Sequence, residues 1–164
     1  MKTKLFALAA VGALFVVAYA ATIDGAIGRG VVVSSANADA RAKIDFHVRK
    51  YTDGERSRVV GGGSFGLPNR DASRRVGIRF NAARFSSTEH TAEWVGPGKR
   101  VIFTNAGPRE VNGIVSVAVN DRRRENTGDP DAFSIRFDAE GTAHDFAFRG
   151  PVVEGGLSVF HRTE

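Results

Sequence analysis

The sequence predicts an all-β fold, an antiparallel barrel or sandwich of about eight to ten strands with little helix. Apolar and polar residues alternate in several segments, as they do in strands that bury one face. Turn residues recur at intervals of roughly 8 to 15 residues, which is typical of an antiparallel meander or Greek key. No segment after residue 20 keeps the apolar spacing of an amphipathic helix over three turns.

The strongest strand signal lies at residues 41–49, where four apolar residues alternate with charged or polar ones: Ala42, Ile44, Phe46 and Val48. In the segment 133–138 we expect Phe133, Ile135 and Phe137 to face the core and Ser134, Arg136 and Asp138 to face away. The other alternating segments predict strands at 75–81, 115–119, 146–148 and 157–159, with shorter candidates at 30–33, 58–65, 91–95 and 100–104. Because one face of each strand is polar, an antiparallel arrangement is favoured.

Turns are predicted where glycine, proline, asparagine and aspartate cluster. These sites are Asp53-Gly54, Leu67-Pro68-Asn69, Gly96-Pro97-Gly98, Asn112-Gly113, Glu140-Gly141 and Gly155-Gly156.

The first 20 residues have the three parts of a secretory signal peptide. Lys2 and Lys4 form a basic start, residues 5–17 are apolar, and the small-x-small triplet Ala18-Tyr19-Ala20 follows. We expect cleavage after Ala20, which leaves residues 21–164 as one secreted or periplasmic β domain with no membrane span. The alternative is an uncleaved anchor, because the apolar stretch of about 19 residues up to Ile23 is just long enough to span a bilayer.

Composition excludes several function classes. The chain has no cysteine, which excludes disulfides, thiol catalysis and cysteine-ligated metals. The formal charge is +5, of which Lys2 and Lys4 contribute two, so the mature chain carries +3. Charges of opposite sign alternate without a long basic block, and we therefore expect no nucleic-acid partner.

The segment 61–66 matches two catalytic or binding patterns. Gly62-x-Ser64-x-Gly66 has the spacing of a hydrolase nucleophile elbow, and Gly61-x-Gly63-x-x-Gly66 that of a dinucleotide loop. Both require a helix to begin there. A turn follows instead, so a glycine-rich strand with a bulge is predicted.

The histidines and acidic residues give no strong ligand set. No two of His47, His90, His144 and His161 have a short ligand spacing; we expect His47 to be solvated. His144 shares the parity of Phe146 and Phe148, which predicts a buried, hydrogen-bonded side chain at a barrel mouth.

Asn120, Asp121, Asp129 and Asp131 gather oxygen donors suited to calcium, but the adjacent arginines at 122–124 would repel the ion. Turn residues that bond their own backbone explain this loop without a metal. We therefore predict no metal site.

The aromatic residues are predicted to belong to the core. Trp94 and Tyr51 are the only tryptophan and tyrosine after residue 20, too few to indicate a carbohydrate platform.

With its strands placed, the chain resembles a family of exported bacterial all-β domains of uncharacterised function, often found at the end of larger secreted proteins. The residues that carry the resemblance are Gly28-Arg29-Gly30, Ala42-x-Ile44-x-Phe46, Val76-x-Ile78-x-Phe80, Asn112-Gly113, Val117-x-Val119-x-Asp121, the segment 131–137 and the final segment 155–161. The glycine loop that precedes the family's last strand is shortened here to residues 150–154. The resemblance implies an exported β domain and brings no catalytic residues.

These observations favour a non-catalytic exported domain that acts by surface contact with an envelope component or another protein. We expect no catalytic, cofactor-binding or metal-binding residues and no cofactor. One alternative is a small-molecule carrier, since a barrel of about eight strands can enclose one ligand. A second is a hydrolase built around Ser64 or His144.

Processing of the N-terminus is directly testable. N-terminal sequencing of protein recovered from the envelope or medium should begin at Ala21, or within a residue or two of it, because the cleavage triplet ends at Ala20. Recovery of an intact Met1 in the membrane fraction would support the anchor instead.

Overall fold

Nine antiparallel strands form the computed structural model, which describes residues 20–71, 74–104, 106–125 and 128–163. The strands are β1 Thr22–Val33, β2 Arg41–Asp53, β3 Arg56–Leu67, β4 Val76–Asn81, β5 Arg84–Ser87, β6 Thr91–Thr104, β7 Gly107–Asn120, β8 Ala132–Ala139 and β9 Phe146–Thr163. Short 3₁₀ turns, Arg122–Glu125 and Thr142–His144, follow β7 and β8. The predicted signal peptide, residues 1–20, lies outside the described residues except for Ala20.

The strands close into an eight-stranded antiparallel barrel with one extra strand, which confirms the predicted all-β class and selects a barrel over a sandwich. Around the barrel the order is β1, β2, β3, β4, β6, β7, β8 and β9, and β9 pairs back with β1. Within the described ranges, no helix is long and apolar enough to cross a membrane.

β4 and β5 together occupy one position in the barrel. β4 pairs with the second half of β6, through residues 98–101, and β5 pairs with its first half, through residues 92–95. Between them, the Ala82 N–H donates to the Gly61 carbonyl and the Ala83 N–H to the Val95 carbonyl, both at 2.9 Å. The two short strands therefore act as one bent strand between β3 and β6.

Three of the six predicted turns are confirmed. Asp53-Gly54 joins β2 to β3, Leu67 ends β3, and Glu140-Gly141 lies between β8 and β9. Gly54 and Gly141 have φ values of 57° and 99°, in the left-handed region that glycine adopts without steric cost.

The other three predicted turns are wrong, because Gly96-Pro97-Gly98, Asn112-Gly113 and Gly155-Gly156 lie inside β6, β7 and β9. The strand candidates 91–95 and 100–104 are consequently one strand. The reason is the close approach of neighbouring backbone. A Cβ on Gly96 would lie 1.9 Å from the Asn81 carbonyl oxygen, and one on Gly113 would lie 2.3 Å from the Asp138 carbonyl oxygen.

Aromatic rings fill the barrel interior. The predicted alternation of β2 is confirmed, and Phe133, Ile135 and Phe137 are buried. The ring centroids of Phe46 and Trp94 lie 5.0 Å apart, and those of Phe65 and Phe148 5.1 Å apart. Burying each such side chain contributes about 1.5–3 kcal/mol.

The last strand changes partners along its length. β8 pairs with the first part of β9, up to Pro151, whereas β1 pairs with β9 from Val152 to Thr163. The second half of β9 therefore has no strand on the side away from β1. Residues 121–125 and 128–131 lie along this seam, and the Val152 N–H donates to the Asp131 carbonyl at 2.8 Å.

Two buried carboxylates complete the seam. Asp131 accepts the Leu157 N–H at 3.2 Å, and Asp121 accepts the Val159 N–H at 3.1 Å. Both side chains are buried. Arg124 donates to the Val159 carbonyl at 2.6 Å, so side chains of the loop replace part of a strand ladder.

Asp131 also holds the loop itself. Its carboxylate accepts the Arg123 N–H at 3.2 Å, and the Arg123 guanidinium lies 3.6 Å from it. Arg123, one of the three arginines expected to repel calcium, thus compensates the negative charge of a buried carboxylate.

The core assignment can be tested on one strand. Ile135→Ala should lower the free energy of unfolding by about 2–5 kcal/mol, because it removes buried apolar atoms and leaves a cavity. Ser134→Ala and Arg136→Ala, on the opposite face, should change it by no more than about 0.5 kcal/mol. Equal effects on both faces, measured by denaturant unfolding, would show that the facing is wrong.

The seam can be tested at Asp131. Asp131→Ala should lower the free energy of unfolding by about 1–3 kcal/mol, because it leaves the buried Leu157 N–H without an acceptor. Asp131→Asn keeps one acceptor oxygen and should cost less. If the two variants unfold at the same denaturant concentration as the unmodified protein, the seam does not depend on this carboxylate.

Candidate functional site

The four histidines occupy separate elements. His47 is exposed on the outer face of β2, as predicted, and His90 precedes β6. His161, near the end of β9, contacts the carboxylate of Asp24 on β1. Among the described residues, no group of three or more histidine or acidic side chains is arranged to hold a metal ion.

The inward orientation of His144 is predicted from strand parity with Phe146 and Phe148. That basis is wrong, because β9 begins at Phe146 and His144 lies in the preceding 3₁₀ turn. The charged group at this mouth of the barrel is Arg100. It donates to the His144 carbonyl at 2.6 Å, and its guanidinium lies 5.2 Å from the centre of the Phe146 ring. Burial lowers the pKa of Arg100, because desolvation penalises the charged form.

The inward position of Arg100 could have been predicted from the sequence. It shares the parity of Ala92 and Trp94, which are buried on β6. The turn predicted at Gly96-Pro97-Gly98 separated Arg100 from the alternation that includes Ala92 and Trp94.

The aspartates considered as calcium donors have other roles. Asp121 and Asp131 accept backbone N–H groups of β9, while Asp129 is exposed on the loop. Trp94 is buried in the core as predicted, and Tyr51 lies exposed near the end of β2.

Ser64 lies on a strand and not on a nucleophile elbow. Residues 61–66 belong to β3, as predicted for a glycine-rich strand, and Gly61 has a φ of 110° where the Ala82 N–H contacts its carbonyl. The Ser64 side chain is exposed on the outside of the barrel. β3 continues to Leu67, so the helix that either motif requires does not begin here.

Ser64 instead borders an open cleft of about 860 Å³ on the outside of the barrel, which we call the exterior cleft. Its lining comes from β1, β2, β3, β4 and β6, with a corner of β9. Its lining includes Val31, Lys43, Asp45, Ser64, Gly66, Gly77, Arg79, Val101, Phe103 and Glu154.

Two glycines that the backbone does not require form the floor of the exterior cleft. Gly66 and Gly77 are directly paired on β3 and β4, and neither has a positive φ. A Cβ on Gly66 would meet nothing within 4 Å, and one on Gly77 would meet Val101 in ordinary contact at 3.8 Å. Every other described strand glycine has a positive φ or would place a Cβ within 3.1 Å of another atom.

This pair therefore needs another explanation. Glycine within a strand costs roughly 0.5–1 kcal/mol relative to alanine and commonly marks close approach of a ligand or of another backbone. At positions 66 and 77 the space that glycine leaves opens to the exterior, which makes this floor accessible to a partner.

Two cations border the floor. Lys43 is paired with Gly66, and Arg79 with Ser64. Neither cation has a hydrogen-bond or ion-pair partner among the residues that the structure describes. Nearby charges are paired: Arg29 with Asp45 at 3.4 Å, Arg41 with Glu154, and Lys99 with Glu110 at 3.1 Å.

One wall of the exterior cleft is apolar. Val101 is paired with Gly77 across the β4–β6 ladder, and Phe103 lies two residues further along β6. Both side chains are half-buried, as is Val31 of the β1 side. The site thus offers a flat floor, two unpaired positive charges and an apolar wall.

A second depression lies on the β6–β9 side of the barrel. Its two parts, of about 590 and 490 Å³, share Glu93, Ala118, Ser134 and Arg149. Small side chains cover its floor. Each glycine among its described strand positions is required by the close approach of neighbouring backbone. This depression is the reference surface for the control variant.

Comparisons with known protein families, with curated proteins and with solved structures give no match to this chain. The resemblance to exported bacterial β domains therefore stays a prediction from the sequence.

Proposed function

We propose that the chain is an exported, non-catalytic β-barrel domain that acts by surface contact, binding an envelope component or another protein through the exterior cleft. The observation that carries this proposal is the pair Gly66 and Gly77. Two paired strand glycines without a backbone role cost stability unless something else requires a surface free of side chains.

The packing of the barrel supports an exterior site. Phe46, Phe65 and Trp94 occupy the interior and contact one another or neighbouring rings. A carrier that used the barrel interior would have to displace these side chains. The hydrolase alternative has little support, because Ser64 lies on the outer face of β3 while His144 belongs to the turn before β9.

Export is supported by the sequence of residues 1–20 and by the resemblance to exported bacterial domains. An exposed surface with two unpaired cations suits contact with the anionic components of an envelope.

The proposal can be tested by co-sedimentation of the exported protein with envelope preparations from its source organism. Gly66→Val should weaken binding about tenfold or more, because its side chain would stand on the floor of the exterior cleft. The same change should leave the free energy of unfolding unchanged, or raise it by up to about 1 kcal/mol, since a β-branched residue favours a strand and Gly66 has open space.

Ser116→Val is the matched control. It adds a β-branched side chain to the outer face of β7, in the second depression, and should leave binding unchanged. Equal binding by all three proteins would show that the exterior cleft is not the contact surface. Turnover of esters, glycosides or phosphoesters that is lost in Ser64→Ala would overturn the non-catalytic assignment.

A further inference from the structure

We propose that the exterior cleft binds an anionic polysaccharide, an inference that rests on the proposed function and specifies its ligand. The charges, the hydrogen bonding of the floor and the direction of the cleft each bear on the chemistry of the ligand.

The charges favour an anionic ligand. Lys43 and Arg79 border the floor from β2 and β4, one on each side of β3, and neither forms an ion pair with a described residue. The neighbouring cations are already paired with Asp45, Glu154 and Glu110. A ligand with repeated negative charges can therefore engage two cations at once, and the planar guanidinium of Arg79 can bind an anionic group through two hydrogen bonds.

The floor cannot recognise an extended peptide by strand addition. Gly66 is paired with Lys43 on one side and Gly77 on the other, and Gly77 is also paired with Val101. Their position within continuous ladders leaves no sheet edge for a peptide to extend, and main-chain hydrogen bonding is what gives that mode its affinity.

A saccharide ring fits what the floor does offer. Glycine Cα–H groups and flat peptide planes present a shallow, weakly apolar surface that can contact the C–H face of a sugar ring. Around this surface stand the Ser64 hydroxyl and the carboxylates of Asp45 and Glu154, which can bond sugar hydroxyls. Phe103 adds an aromatic face at the β6 end. Recognition of this kind does not depend on exposed tryptophan or tyrosine.

The direction of the cleft favours a chain over a single sugar. Its lining crosses from β1 through β2, β3 and β4 to β6, about 19 Å along the sheet at a strand spacing of about 4.8 Å. The cleft is open to the exterior, so a polymer can lie across it.

The test is a titration of the exported protein with polygalacturonate, using neutral dextran, dextran sulfate and polyphosphate as comparison polymers. Polygalacturonate should bind and neutral dextran should not. The affinity for polygalacturonate should fall as the salt concentration rises, because the ion pairs between polymer and protein are exposed to solvent. The double variant Lys43→Gln/Arg79→Gln should bind about tenfold more weakly. Gly66→Val should also lose binding, while Ser116→Val should retain it.

Arg58→Gln/Arg84→Gln is the matched charge control, because it removes the same net charge from exposed positions outside the exterior cleft. If this control weakens binding as much as the cleft variant, the affinity is a general effect of positive charge and the proposal fails. Dextran sulfate, an anionic polysaccharide, should bind as well, whereas binding of polyphosphate as tight as that of polygalacturonate would overturn the assignment to a saccharide. If Gly66→Val abolishes envelope binding but polygalacturonate does not bind, the ligand class is wrong while the contact function stands.

Discussion

The barrel depends on how the second half of β9 satisfies the backbone groups that point away from β1. The first residue of β8, Ala132, is paired with Pro151, and beyond Pro151 the N–H groups of Leu157 and Val159 point into a seam with no neighbouring strand. Asp131 and Asp121 accept these two N–H groups from within the protein. Without such acceptors this stretch would be an open sheet edge, which costs unsatisfied hydrogen bonds and invites pairing with other chains. Side chains thus complete the hydrogen bonding along this side of β9.

Glycine has two opposite roles in this protein. At Gly28 a Cβ would lie 2.4 Å from the Phe46 ring, so the missing side chain makes room for an aromatic core. At Gly66 and Gly77 the space is open and faces outward. The first role stabilises the packed interior, whereas the second lowers strand stability without any compensating contact inside the molecule. That difference separates the structural glycines from those assigned to the exterior cleft.

The period-two pattern predicted the strands well because each strand has one face in a single aromatic core. Thus the segments 41–49 and 133–138 face inward and outward as expected. The glycine clusters misled the prediction, because a glycine required by a close neighbouring strand looks the same in sequence as one required by a turn. The partners that decide the matter, such as Asn81 opposite Gly96, are distant along the chain.

The candidate site was harder to predict than the fold. Gly66 and Gly77 meet only through the β3–β4 register, which no local pattern encodes. The role of Asp131 likewise required Leu157, which lies 26 residues further along the chain. Local patterns indicate which residue types are present, but pairing across the sheet decides whether an aspartate binds a metal or caps a strand.

The pairing of β1 with β9 has a consequence for when the molecule can fold. These are the first and last strands, so the barrel cannot close until the C-terminal strand has been synthesised and has reached the N-terminal one. Contacts between distant parts of a chain are slow to form, and barrels dominated by them fold in about milliseconds to seconds. A barrel that closes in this way stays open while the chain is being made, and an open chain is the form that the proposed export through a narrow channel requires.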